Sequence, residues 1–192
     1  MAEFRIDIQA TVNSALFVIN KLNQRNVDFH KLFKILYFAD RKHIATYGKP
    51  ITGDTYVAMT RGPVPSELYD ILKYNRGDEL LFVPPAELLP LIKNLKVILP
   101  YYVKAESEPN LDYLSASSIE MLEWSVAQHG DKSFDALTTE SHDVAYDKAS
   151  ENADISYKDM AEAENVSDEM KAYIALNIEN AQSLHAHAGL NR

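Results

Sequence analysis

The sequence of 192 residues is constrained most by one apolar stretch, DFHKLFKILYFADRKHIATYG, which predicts a long helix from Asp28 to about Thr46. Asp28 is a suitable N-cap, and a glycine, here Gly48, commonly follows the end of a helix. At 100° per residue, most apolar side chains share one arc, whereas the cationic side chains form a stripe beside it. This basic stripe comprises Lys31, Lys34, Arg41 and Lys42. The pattern therefore predicts a helix with one apolar side and one basic side.

Two residues break this division of the helix. Asp40 lies in the middle of the apolar arc, and Phe38 lies among the cations. Because a lone buried carboxylate is costly, Asp40 either ties the helix to a neighbouring loop, through backbone N–H groups or a Tyr hydroxyl, or serves as a catalytic or ligand-binding group. Phe38 is either covered by another helix of the chain or exposed among cations, a composition that suits a protein interface.

The segment that follows the helix is rich in glycine and proline. Its pattern predicts turns and then a strand over Thr55–Arg61, which ends at Gly62 and Pro63. Pro65 suits the first position of the next helix, and Glu67 near that end interacts favourably with the helix dipole. The predicted turn residues are Gly48, Pro50, Gly53 and Asp54.

The remainder of the chain is predicted to be mostly helical. Residues 23–27 are expected to form a connector, and Leu95–Lys104, interrupted by Pro100, predicts an edge strand or a bulge. Leu111–Leu114 is expected to add a short strand. Apolar residues at steps of three and four predict further helices over residues 8–22, 115–128, 133–139 and 168–186.

These elements predict a mainly α (α+β) fold. A helical domain with a small antiparallel β-sheet or hairpin is expected over residues 1–165. A C-terminal amphipathic helix within residues 166–192 is expected to pack on that domain or to contact a partner.

Charge is divided unevenly along the chain. The formal net charge is −9: residues 1–104 carry 14 Lys and Arg against 10 Asp and Glu, and residues 105–192 carry 5 against 18. The two parts thus have net charges of +4 and −13. This balance disfavours a nucleic-acid partner for the whole chain.

Composition also limits the compartment and the chemistry. The chain contains no cysteine, which excludes thiolate chemistry and zinc sites built on sulfur, and which fits a reducing compartment. No apolar run reaches about 18 residues, and the first residues lack the apolar core of a signal peptide. The sequence therefore predicts a cytoplasmic protein with no membrane partner.

The histidines and carboxylates form no recognisable catalytic or metal motif. His142 and Asp143 are adjacent and, with Asp40, are the candidates for acid–base chemistry. A single such pair defines no reaction, because a site also needs a positioned substrate and groups that stabilise charge. The sequence contains no HExxH, GxSxG, Walker or dinucleotide-binding motif. The residues alone disfavour an enzyme, and they predict no metal and no cofactor.

One series of motifs resembles a known family, the Panacea domain or SocA-like antitoxin domain. The family pattern contains an LLYFAD-like helix, G-x-P-I-T-G-D, an aromatic strand, G-P-V-P and a helix with Glu and Tyr. The corresponding segments here are Leu36–Asp40, Gly48–Asp54, Tyr56–Met59, Gly62–Pro65 and Glu67–Tyr69. A second block is similar to Leu114–Glu120, Gly130–Leu137 and Ser141-His142, where Ser141 stands in place of the family's Thr. The resemblance covers roughly residues 8–165.

The resemblance implies an antitoxin of a bacterial or phage toxin–antitoxin system. Such a protein neutralises a cognate toxin by direct binding, and the toxins of this family include translation inhibitors and enzymes that modify nucleotides or tRNA. Two alternatives remain open: an adaptor that delivers the toxin to an ATP-dependent cellular protease, and an enzyme that reverses the toxin's modification. The resemblance implies no catalytic residue.

Two sets of residues are candidates for contact with the toxin. The first is the basic side of the predicted helix, and the second is the acidic C-terminal part, which could cover a basic substrate site on a toxin. These sets are Lys34, Phe38, Arg41 and Lys42, and Glu151, Asp154, Asp159 and Glu162. The other motif residues are expected to maintain the scaffold: Asp40, Gly48, Pro50, Gly53, Asp54, Gly62, Pro63, Pro65, Glu67, Tyr69 and His142.

Overall fold

A computed structural model describes residues 3–23, 26–79 and 84–189. Its longer helices begin where a side chain satisfies free backbone N–H groups: Asp7 accepts from Ala10 N and Asp28 accepts from Lys31 N. The helices are α1 (Ile8–Leu22), α2 (Phe29–Tyr47), α3 (Ser66–Arg76), α4 (Leu89–Ile92), α5 (Ala116–His129), α6 (Phe134–Ser141), α7 (Val144–Lys148), α8 (Tyr157–Glu162) and α9 (Asp168–Gly189). The strands are β1 (Val27–Asp28), β2 (Tyr56–Met59), β3 (Gly62–Pro65), β4 (Leu95–Leu99) and β5 (Tyr102–Ala105).

The strands form two small antiparallel sheets. One has the order β1-β5-β4, with Val27 opposite Val103, and the other is the hairpin β2-β3, with Val57 opposite Val64. Residues 152–155 run along the free edge of β2, where the backbone of Ala58 bonds to Asn152 and Ala153. The predicted mainly α fold with a small β component is confirmed by this architecture.

Helix α2 lies at the centre of the molecule because it contributes to two hydrophobic clusters. Leu32, Ile35 and Leu36 pack with α1, α3 and the three-stranded sheet. Tyr37 and Phe38 pack with β2 and with α6 to α9. The helix is therefore covered on both sides by apolar residues, rather than on the one side that its sequence pattern predicts.

Two local predictions are wrong and a third is incomplete. Gly62 and Pro63, expected to end a strand, begin the edge strand β3, which tolerates proline because one of its edges has no partner strand; the expected helix start at Pro65 is close to the observed one, since α3 begins at Ser66. Leu95–Lys104 contains the predicted edge strand, β4, with a register shift between Val97 and Leu99, but the chain also turns at Pro100 and Tyr101 and returns as β5. Leu111–Tyr113 is a 3₁₀ helix, since the side chain of Asn110 accepts from Asp112 N and supports a tight turn.

Helix α9 packs on the second cluster through one narrow face. Ile174 and Ile178 are buried there, and the amide of Asn177 donates to the carbonyl of Gly48 at 2.9 Å. Tyr173 and Leu176 on the same helix are about half exposed, at 50% and 53%. The helix thus contacts the C-terminal end of α2 and also presents apolar side chains to solvent.

Candidate functional site

Asp40 is buried, with 1% of its surface exposed, and it accepts four hydrogen bonds. Ile51 N and Thr52 N donate to Oδ1 at 2.6 and 3.2 Å, and the hydroxyls of Thr52 and Tyr56 donate to Oδ2 at 2.7 and 2.8 Å. Burial raises the pKa of Asp40, and these hydrogen bonds oppose that rise. Because all four acceptor positions of the carboxylate are used, Asp40 fastens α2 to the loop that precedes β2. The loop-tying alternative is the one observed.

Asp54 and Glu67 form a second buried carboxyl site, at the start of α3. Asp54 accepts from the backbone N–H groups of Glu67 and Leu68 at 3.0 and 2.9 Å, so it caps α3 from outside the helix. Burial raises the pKa of Asp54 well above its usual value, and the neighbouring Glu67 raises it further. Burial also opposes ionisation of Glu67, but hydrogen bonds from Asp54, Thr55 N and Ser66 outweigh it and lower its pKa.

The glycines and prolines of residues 48–65 hold the backbone around these carboxyl groups. Gly48, Gly53 and Gly62 have φ values of +74°, +67° and +93°, which a side chain disfavours. The structure also places Pro50, which is partly buried, directly before Ile51, one of the donors to Asp40. Pro63 and Pro65 lie in β3 opposite Ala58 and Tyr56.

The basic stripe of α2 is covered by β3 and by the C-terminal half of the chain. Lys34 is 1% exposed and donates from Nζ to the carbonyl of Pro63 at 2.8 Å. Phe38 is fully buried and stacks on His129, with ring centroids 4.1 Å apart. Neither side chain is available to a partner in this conformation, because β3 and α5 occupy the space around them.

Arg41 and Lys42 form ion pairs with two carboxylates. Arg41 donates to Asp143 and, at 2.8 Å, to Glu164, whereas Lys42 donates to Glu164 at 2.9 Å. The hydroxyl of Tyr37 also donates to Asp143, at 2.8 Å. The side chains of Arg41, Asp143 and Glu164 are only 12–13% exposed, while that of Lys42 is 38% exposed. Of the predicted basic set, only Lys42 keeps an appreciable surface.

The predicted acidic residues lie at the surface, but two of them are paired. Lys148 forms ion pairs with Asp159 at 2.7 Å and with Glu162. Glu151 accepts a hydrogen bond from Thr60 at 3.3 Å, and Asp154 forms no ion pair with any described residue. Asp154 and Glu151 are therefore the acidic candidates with the freest carboxylates, on the segment that borders β2.

His142 and Asp143 do not form a catalytic pair with Asp40. Asp143 accepts from Ala145 N and Tyr146 N at 2.9 and 3.0 Å and thereby caps α7, in addition to its bonds with Arg41 and Tyr37. His142 stacks on Tyr146, with ring centroids 4.1 Å apart. Asp40 bonds to a different loop. Within the described ranges, no group of three or more His, Asp or Glu side chains could hold a metal ion.

Sequence reasoning missed Glu164 and considered Asp143 only as a candidate acid–base group, although both organise this region. Glu164 follows α8 and neutralises two cations of α2, and Asp143 gathers Arg41, Tyr37 and the N-terminus of α7. The sequence position of Glu164 carries no signal beyond the general acidity of residues 105–192. Charge complementarity between that acidic part and the stripe of α2 was the one available indication.

The comparisons with known proteins agree with the motif series. Residues 32–147 match the model of the family described as antitoxin SocA-like, Panacea domain. The chain belongs to this family. The match spans α2, the 48–65 segment and helices up to α7, so the Panacea segment includes both buried carboxyl sites and Asp143. Comparison with curated proteins and with solved structures finds no match. Among the described residues, no helix is both long and apolar enough to cross a membrane.

Proposed function

We propose that this Panacea-family protein neutralises a cognate toxin by binding to it directly. The observation that carries the proposal is the family match over residues 32–147, since the family is one of SocA-like antitoxins. The toxin class expected from the resemblance is a translation inhibitor that modifies nucleotides or tRNA. The protein acts in this proposal through its surface and not through chemistry of its own.

The environment of the candidate acid–base groups supports a binding role. Asp40 is enclosed and accepts four hydrogen bonds, and Asp143 holds a guanidinium, a phenol and a helix N-terminus. A general acid or base must come within hydrogen-bond reach of a substrate. The oxygens of these carboxylates instead accept hydrogen bonds from groups of the protein itself. Their geometry therefore gives no support to a reaction that reverses a toxin's modification.

Stoichiometry tests the proposal. The protein is co-expressed with the product of the neighbouring gene, and growth is measured while the ratio of the two proteins is varied. We expect rescue only when the protein is at least equimolar with the toxin, together with a complex of defined mass in light scattering. Rescue at far lower ratios, with no isolable complex, would indicate an enzyme and overturn the proposal.

The exposed carboxylates of Glu151 and Asp154 give the acidic surface a test of its own. The matched comparison is Glu151→Gln with Asp154→Asn against Glu87→Gln with Asp131→Asn, two exposed positions elsewhere. If the acidic segment faces a basic site on the toxin, the Glu151→Gln/Asp154→Asn variant should associate with the toxin more slowly than the unmodified protein, and the control variant should not. Equal association rates would remove this surface from the proposal. The adaptor alternative additionally requires the toxin's half-life to fall when the protein is present.

A further inference from the structure

An open groove of about 300 Å³ lies on the face formed by α2, α3 and the two hairpin turns. It contains none of the carboxyl sites described above. Six apolar or aromatic residues and four polar ones line it: Phe29, Phe33, Met59, Val64, Tyr69 and Tyr101, and His30, Lys34, Thr60 and Arg61. The two turns contribute residues that are far apart in sequence, so the groove exists only in the folded chain.

The aromatic wall of the groove is already formed. Phe33 packs edge-on against Tyr69 with ring centroids 5.6 Å apart, and Phe29 packs in the same way against Tyr101 at 6.3 Å. Tyr101 is nevertheless 61% exposed and Met59 is 37% exposed. Exposed aromatic and Met side chains around a pocket are typical of protein interfaces, where rigid aromatic groups lose little entropy on binding.

The charge that the groove offers to a ligand is that of Arg61. None of its lining residues is acidic, Lys34 is buried against the carbonyl of Pro63, and burial lowers the pKa of His30 to about 4. Arg61 is exposed in the β2–β3 turn, has its guanidinium 5.5 Å from the ring centroid of Phe134, and forms no ion pair with any residue that the structure describes. At the edge of this turn the hydroxyl of Thr60 donates to the carboxylate of Glu151 at 3.3 Å, so Glu151 is held by Thr60 and forms no ion pair with Arg61. The groove is therefore complementary to an apolar group that carries an anion beside it.

We propose that this groove is a docking site for a segment of the toxin that inserts one aromatic or large apolar side chain and places a carboxylate against Arg61. The volume lies at the lower limit for small-molecule sites, which suits one large side chain and its neighbours better than a cofactor. The inference rests on the proposed function, because it names the surface by which the protein holds its toxin. Arg61 supplies the charge recognition and the ring of Tyr101 covers the inserted side chain.

Affinity for the purified product of the neighbouring gene, measured by calorimetry with the full chain, tests the inference. Arg61→Glu is expected to weaken binding at least tenfold, and Arg61→Lys is expected to keep binding within threefold because it retains the charge. Lys93→Glu makes the same charge change at another exposed site and should leave affinity unchanged. Tyr101→Ala should also weaken binding at least tenfold. Tyr113→Ala, at a Tyr that is 46% exposed elsewhere, should not.

The possible outcomes separate the two proposals. If the unmodified protein binds no neighbouring product and gives no rescue, the proposed function fails. If it binds but the affinities of Arg61→Glu and Tyr101→Ala equal those of their controls, the groove inference fails while the function stands. Tighter binding by Arg61→Glu would show a cationic toxin segment and would equally overturn the inference. Circular dichroism of each variant confirms that it is folded, since both sites are exposed.

Discussion

Arg41 Nε lies 2.8 Å from Glu164 Oε1, so a cation of the central helix is neutralised by a carboxylate 123 positions later in the chain. Glu164 also binds Lys42, and Asp143 binds Arg41 from the other side. The uneven charge distribution of the sequence is therefore partly an internal complementarity. The basic stripe of α2 is the surface on which the acidic C-terminal half docks.

This network should contribute measurably to stability. Glu164→Gln removes the charge that two cations share, and we expect the free energy of unfolding to fall by about 1–3 kcal/mol, since Arg41 and Glu164 are largely buried. Urea denaturation measures the change. Glu179→Gln, on the exposed side of α9, provides the control and should change stability by less than about 0.5 kcal/mol. Equal midpoints for both variants would mean that the ion pairs contribute nothing.

The hydrogen bonds to Asp40 should be costly to lose one at a time. Tyr56→Phe removes the donor at 2.8 Å, and the free energy of unfolding should fall by about 1.5–3 kcal/mol, as is usual for a bond to a charged group. Asp40→Asn should cost more, because its amide N–H₂ would face donors. Tyr102→Phe, at a Tyr that is 42% exposed, is the matched control. A loss no larger than the control's would show that Asp40 is not the fastening point.

Gly48 is required by two separate constraints, which substitution can separate. Its φ is +74°, and a Cβ would collide with the ring of Tyr173 on α9. Gly77 has a φ of +91°, and a Cβ there would have no neighbouring atom within 4 Å. Gly77→Ala should therefore lower the free energy of unfolding only through the strain of the left-handed backbone, by about 1–2 kcal/mol. Gly48→Ala should lower the melting temperature further than Gly77→Ala does. Adding Tyr173→Ala should recover part of the difference, and no recovery would show that the collision is relieved elsewhere.

Lys34 should make stability depend on pH. Burial lowers the pKa of its amine from 10.5 to about 7, so between these values the unfolded chain binds a proton that the folded chain has released. Stability therefore rises with pH over this range, by up to about 1.4 kcal/mol per unit. Urea denaturation from pH 7 to 9 should show this slope in the unmodified protein and in Lys96→Met. Lys34→Met should lose this dependence of stability on pH. An unchanged slope in that variant would show that the pKa of Lys34 is not lowered by folding.

Several local features could be predicted from sequence because they depend on near neighbours. Asp28 and Gly48 bound α2 through hydrogen bonds and backbone angles that involve only adjacent turns. A carboxylate in an apolar arc requires hydrogen-bond donors. Ile51 and Thr52, three and four residues after Gly48, donate to Asp40. The strand over Thr55–Arg61 was recognised, but its partner was missed because two prolines disfavour a strand by local preference alone.

The sequence by itself determined the helical class, the capped central helix, the turn-rich 48–65 segment and the family to which the chain belongs. Only the tertiary structure decided that both sides of α2 are covered, because helical periodicity shows that two faces differ and not what packs against them. The apparent basic surface is closed by Asp143 and Glu164, whose ion pairs join distant parts of the chain. The groove beside Arg61 likewise depends on two turns meeting α2, a juxtaposition that packing alone creates.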